Sequence, residues 1–86
     1  SMLSVSATCV NPGEKIREWA FSSELFRHDG EIIDQKVWNG KVLPLETASN
    51  SLVLDACAHG SMLLKVILRD DEDRIFYRRT FILNRD

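Results

Sequence analysis

Two dipeptides, Asp29-Gly30 and Asn39-Gly40, constrain this chain more than any other feature. A two-residue type I′ hairpin loop needs positive φ at both central positions, and Asn or Asp followed by Gly meets that need at least cost. Both dipeptides are flanked by apolar residues. The first predicts a hairpin pairing His28 with Glu31 and Phe26 with Ile33. The second sets Trp38 opposite Lys41 and Val37 opposite Val42. Pro44 then ends its strand early or holds it at an edge, because proline has no N–H to donate to a ladder. Further turn signals fall at Asn11-Pro12-Gly13, Ser49-Asn50, His59-Gly60 and the acidic run Asp70 to Asp73. Short apolar runs between closely spaced turns are the pattern of a sandwich or barrel.

The runs themselves read as strands. Leu3, Val5, Ala7 and Cys9 alternate with Ser4, Ser6 and Thr8, as in a half-buried strand ended by Pro12. From Glu14 to Phe26 the pattern is mixed. Ile16, Trp19, Ala20 and Ser23 would share a helix face, whereas Trp19 and Phe21 alternate as in a strand. A strand is favoured, with Ser22-Ser23 as a break and a short helix near residues 14–21 as the alternative. The last hairpin runs from Met62 to Arg69 and from Arg74 to Leu83. With the acidic run as its loop, Arg69 faces Arg74, Leu68 faces Ile75, Val66 faces Tyr77 and Met62 faces Phe81. In that register Leu64 meets Arg79, the one mismatch on the core face. The predicted fold is all-β: a small antiparallel β-sandwich of about seven or eight short strands, one domain over residues 1–86. Ser1-Met2 reads as the remnant of a cleaved tag, and the domain as one cut from a longer protein.

At 86 residues there is room for one modest core. No apolar run approaches the roughly 18 residues of a transmembrane helix. The formal net charge of −2 makes nucleic acid an unlikely partner. Cys9 and Cys57 are favoured as two reduced, buried thiols over a single inter-sheet bridge. A cytoplasmic location is favoured.

Chemistry-bearing residues are sparse. Cys9, His28, Cys57 and His59 lack the paired spacing of a structural zinc site, and both histidines sit beside turn glycines. Asp55, Cys57 and His59 are close in sequence. Residues two apart on a strand, however, hold their Cβ atoms about 7 Å apart, too far for a thiol–imidazole bond unless the chain bends. Contiguous carboxylates at Asp70 to Asp73 suit a solvated hairpin tip better than a calcium loop. No catalytic residue, metal ligand or cofactor is assigned.

The outer face of the last hairpin is the most informative feature. In the inferred register Ile67 faces Phe76, Lys65 faces Arg78, Leu63 faces Thr80, and Arg69 faces Arg74. Like charges directly opposite one another are unfavourable, and two such pairs flank an aliphatic–aromatic pair. A binding surface of Lys65, Ile67, Phe76 and Arg78, rimmed by Arg69 and Arg74, follows. It suits a protein or acidic peptide, or an anionic lipid headgroup. The alternative is internal: Glu18, Glu24, Glu31 or Asp34 neutralise the stripe, and the domain packs structurally against its parent chain. A small ligand-binding or enzymatic domain is the remaining alternative. Trp38 is expected to be exposed beside its turn, stacked on Lys41, and Trp19 to be core.

Asn11-Pro12-Gly13-Glu14 followed by Trp19-Ala20-Phe21-Ser22-Ser23 resembles the start of a GOLD domain. Gly60-Ser61-Met62-Leu63-Leu64 and Ile75-Phe76-Tyr77 are similar to that family's glycine-led and final strands. Arg69-Asp70 replaces the asparagine that often follows the glycine-led strand. The same skeleton also fits immunoglobulin-like domains. The resemblance implies a β-sandwich for protein recognition in membrane-trafficking adaptors, with no catalytic residues to carry over.

Overall fold

The computed structural model describes residues 1–56 and 60–85, the side chain of Arg85 excepted. Among these there is no helix, and so none able to cross a membrane. Six strands form: β1 (Met2–Val10), β2 (Arg17–Arg27), β3 (Ile32–Val42), β4 (Thr47–Asp55), β5 (Gly60–Arg69) and β6 (Ile75–Arg85). All pairings are antiparallel. One sheet has the order β3-β2-β5-β6 and the other is the ribbon β1-β4. The molecule is therefore a small β-sandwich of six long strands rather than seven or eight short ones.

Two misread signals account for the difference. Asn39-Gly40 is not a turn. It lies inside β3, with Gly40 opposite Trp19 and Asn39 opposite Ala20. A Cβ on Gly40 would lie 2.0 Å from the Trp38 ring, so glycine is there to let that indole lie along its own strand. Trp38 is consequently half-buried and edge-on to Trp19 (centroids 5.1 Å apart, 73° between planes) rather than exposed on Lys41. Ser22-Ser23 is not a break either. Ser23 is fully buried on the inner face of β2, opposite Val66. Ser49-Asn50 likewise lies within β4.

The Asp29-Gly30 turn is real, with Gly30 at φ 91°. It is wider than a two-residue loop. The Arg27 N–H donates to the Glu31 carbonyl, and a bulge sets Phe26 opposite Ile32 instead of Ile33. The stretch before Trp19 forms no helix, and the strand reading of that segment holds from Arg17.

Alternation produces the core. Trp19, Phe21 and Leu25 of β2 and Met62, Leu64, Val66 and Leu68 of β5 face Val5, Leu52 and Leu54 of the ribbon. Trp19 stacks parallel to Phe21 at 6.3 Å. On the ribbon's other face, Ser6 meets Ser51 at 2.7 Å and Thr8 meets Ser49 at 2.8 Å, a ladder of hydroxyl pairs suited to water. Asn11 closes one end of the sandwich. Its Nδ2 donates to the carbonyls of Lys15 (2.7 Å) and Val42 (3.1 Å), its Oδ1 accepts from the Gly13 N–H, and its own N–H donates to the Glu46 carbonyl.

Candidate interaction surface

The β5–β6 hairpin forms, but two residues out of the inferred register. Met62 pairs with Leu83, Leu63 with Ile82, Leu64 with Phe81, Lys65 with Thr80, Val66 with Arg79, Ile67 with Arg78 and Leu68 with Tyr77. A bulge then sets Arg69 opposite Ile75. Lys65 therefore does not face Arg78, nor Arg69 Arg74, nor Ile67 Phe76. The physical reason is visible in the pairs themselves. The observed register removes both like-charge oppositions and sets Leu64 against Phe81 instead of Arg79. A slip of two leaves every side chain on its original face, so the core-facing set on β5 is the expected one while its partners on β6 differ.

This register disperses the surface assembled from the sequence. Ile67 is only 7% exposed, too buried to be a contact residue. Phe76 is 49% exposed, but the bulge takes it out of the alternation. It lines an open cleft of about 200 Å³ at the end of the sandwich, together with Cys9, Trp19, Val42 and Asp70. Arg69 lies 3.6 Å from Asp73, and Arg74 pairs with Asp70 (3.4 Å) and Glu72 (3.0 Å). Lys65 stands opposite Glu24 of β2. At the hairpin tip the loop's own carboxylates thus offset Arg69 and Arg74, whereas Lys65 makes no ion pair among the described residues. Arg78 keeps its outer position and has no ion-pair partner among the described residues.

The acidic run is a structural loop. Asp70 Oδ1 accepts from the backbone N–H groups of Glu72 and Arg74 (both 2.9 Å), which holds its carboxyl below the ordinary range. Asp71 takes a bidentate hydrogen-bonded pair from Arg17 at 2.7 and 3.0 Å, and that guanidinium lowers its pKa in turn. The carboxylates thus diverge toward different partners, and no three metal-ligating groups converge among the described residues. His28 is exposed at its turn. Cys9 is half-buried, and burial pushes its thiol above its ordinary value against the lowering effect of Arg17. A raised thiol pKa opposes nucleophilic use. Cys57 and His59, with the bridge and the catalytic alternative that rest on them, lie outside the described residues.

What the structure offers instead is the other face of β6. The two-stranded ribbon is too narrow to cover four strands. Neighbouring strands lie about 4.8 Å apart, so the ribbon covers roughly half the width of the large sheet. Strand β4 lies beside β3, where the Asp34 carboxylate accepts the Asp55 N–H at 2.8 Å. The uncovered half falls over β6. Tyr77 and Arg79, although they point to the inner side, are exposed, and Phe81 is half-buried. The Arg79 guanidinium stacks 4.7 Å from the centroid of Phe81 and, like Arg78, has no ion-pair partner among the described residues. Tyr77, Phe81, Val66 and Leu68 line a groove of about 270 Å³ against Val5, Ser6, Ala7 and Thr8 of β1. Sequence reasoning missed this site. The available signal was Arg79 itself, an arginine on the core parity of an otherwise apolar strand.

The class these observations define is a small two-sheet all-β sandwich with one sheet incompletely covered. The chain matches no family model, and comparisons with curated proteins and with solved structures give no significant match.

Proposed function

We propose that this domain is a non-catalytic protein-interaction module whose recognition element is the β5–β6 hairpin. One observation carries the reading: β6 is an edge strand exposed on both faces. Ile75, Phe76, Tyr77 and Ile82 are large exposed hydrophobics, interleaved with Arg78 and Arg79, which are free of acidic partners among the described residues. Tyrosine, phenylalanine and arginine are the residues enriched where protein interfaces bind tightly, because they bury large area and keep a polar handle. Lys65 and Arg78 extend the same strip on the outer face, so an acidic peptide is the favoured partner over a lipid headgroup. The resemblance to a GOLD domain is in keeping with the same reading, since it implies protein recognition in membrane-trafficking adaptors.

The test is selection of displayed random peptides on the immobilised domain, followed by amide-resolved NMR mapping of the winners. The expected peptides shift the amides of 75–82 and lose at least tenfold in affinity on Tyr77→Ser. Peptides that map elsewhere and are indifferent to Tyr77→Ser, or no enrichment over an unrelated immobilised protein, would overturn the proposal.

A further inference from the structure

The groove between β1 and β6 has the shape of a missing strand, and three observations say what fills it. Strand β1 pairs with β4 along one edge, and no strand among the described residues pairs with its other edge. An open edge offers a row of unpaired N–H and C=O groups and is normally protected by charge, proline or a bulge. Met2–Val10 contains no charged residue and no proline, and its ladder with β4 is unbroken. The floor beside that edge is the inner face of β5 and β6: Val66, Leu68, Tyr77 and Phe81, with Arg79 standing between the two aromatics by strand alternation.

We infer that a partner adds one extended strand to the free edge of β1, placing alternate side chains over this floor in the order apolar, acidic, apolar. This rests on the reading of the domain as a protein-interaction module and supplies its binding mode. Backbone ladder bonds to β1 give affinity, and the inward side chains give specificity, as in other strand-addition complexes. The apolar residues cover Tyr77 with Leu68, and Phe81. The carboxylate meets the Arg79 guanidinium, which is already held over the Phe81 ring. A second copy of this chain does not fit the chemistry. Its β1, the strand with the free edge, carries no carboxylate to meet Arg79.

The probe is the peptide acetyl-Thr-Val-Thr-Glu-Thr-Val-Thr-amide, with a Glu→Lys form and three N-methylated forms. Two of these each block the N–H groups of one peptide edge, and the third blocks those of both edges. Strand addition uses a single peptide edge, so at least one single-edge form should bind as well as the parent and the form blocked on both edges should not bind. Amide exchange of β1 residues 4–8 should slow on binding. The Glu→Lys peptide should bind at least tenfold more weakly, and Arg79→Glu protein should restore it. Parent-like binding of the form N-methylated on both edges, or unchanged β1 exchange, overturns strand addition. If this peptide fails while selected peptides still bind β6, strand addition falls and the interaction module stands. If neither binds, both fall.

Discussion

Asn11 is the residue whose side chain does most for the architecture. It is buried, and every polar atom of its amide is engaged, so it ties the end of β1 to the loop before β2 and to the last residue of β3. Asn11→Ala would leave the carbonyls of Lys15 and Val42 without their donor. The Val42 carbonyl is the buried one, and an orphaned buried group costs about 1–3 kcal/mol, so a loss of about 1–3 kcal/mol in urea unfolding is expected. A loss under 0.5 kcal/mol would show that water replaces the amide. Asp29 makes the second prediction at this scale. The Arg27 guanidinium first, and the Glu31 N–H second, lower its carboxyl pKa to about 2. A depressed carboxyl contributes stability that is present above its unfolded value near 3.9 and is lost as pH falls through about 2. Asp34, Asp70 and Asp71 are shifted in the same direction. The carboxyl carbon of Asp29 should therefore titrate with a midpoint near 2, and Asp29→Asn should flatten the acid limb of Tm against pH. A midpoint near 4 would mean that the Arg27 contact does not persist in solution.

Among the elements, β3 owes its length to a glycine that reads locally as a turn. Trp38 occupies the space above Gly40, and Trp19, opposite Gly40 on β2, meets that indole edge-on. Gly40→Ala must displace the ring, and overpacking of this kind costs about 1–3 kcal/mol. The expected readout is a lowered Tm with a changed tryptophan emission, while a silent substitution would show that the indole has room to move. The β5–β6 hairpin teaches a related lesson. Alternation assigns a side chain to a face but says nothing about which residue stands opposite. That is set by loop width and by the bulge between Leu68 and Arg69, which also turns Phe76 toward the cleft. Asp70 organises the loop through four hydrogen bonds within its own turn, and Arg17 reaches across from β2 to hold Asp71. The register takes Ile67 away from Phe76, and the narrowness of the ribbon leaves Tyr77 and Arg79 uncovered.

The whole molecule is thin and long, 47 by 21 by 16 Å, with a Cα radius of gyration of 14.3 Å against the ~12 Å of a compact domain this size. Burial is concentrated on β2 and β5, the two central strands of the large sheet, while β6 and the free edge of β1 lie outside it. Opening energies should follow the same map. Native-state hydrogen exchange is expected to be slowest at Phe21–Leu25 and Leu64–Leu68, and fastest at the open-edge amides of β1. Uniform protection would show that the sandwich opens only as a unit. Alternation and turn chemistry in the sequence by themselves determined that the chain is all-β and antiparallel, that Trp19 and Phe21 are core, and that Met62, Leu64, Val66 and Leu68 share a face, because these are properties of a strand and its nearest neighbours. Only the tertiary structure decided that Asn39-Gly40 and Ser22-Ser23 continue strands, what register the last hairpin takes, and which sheet is too narrow to cover the other. Those depend on contacts between residues far apart in the chain: an indole over a glycine, a buried serine facing Val66, and a ribbon held at one side by β3.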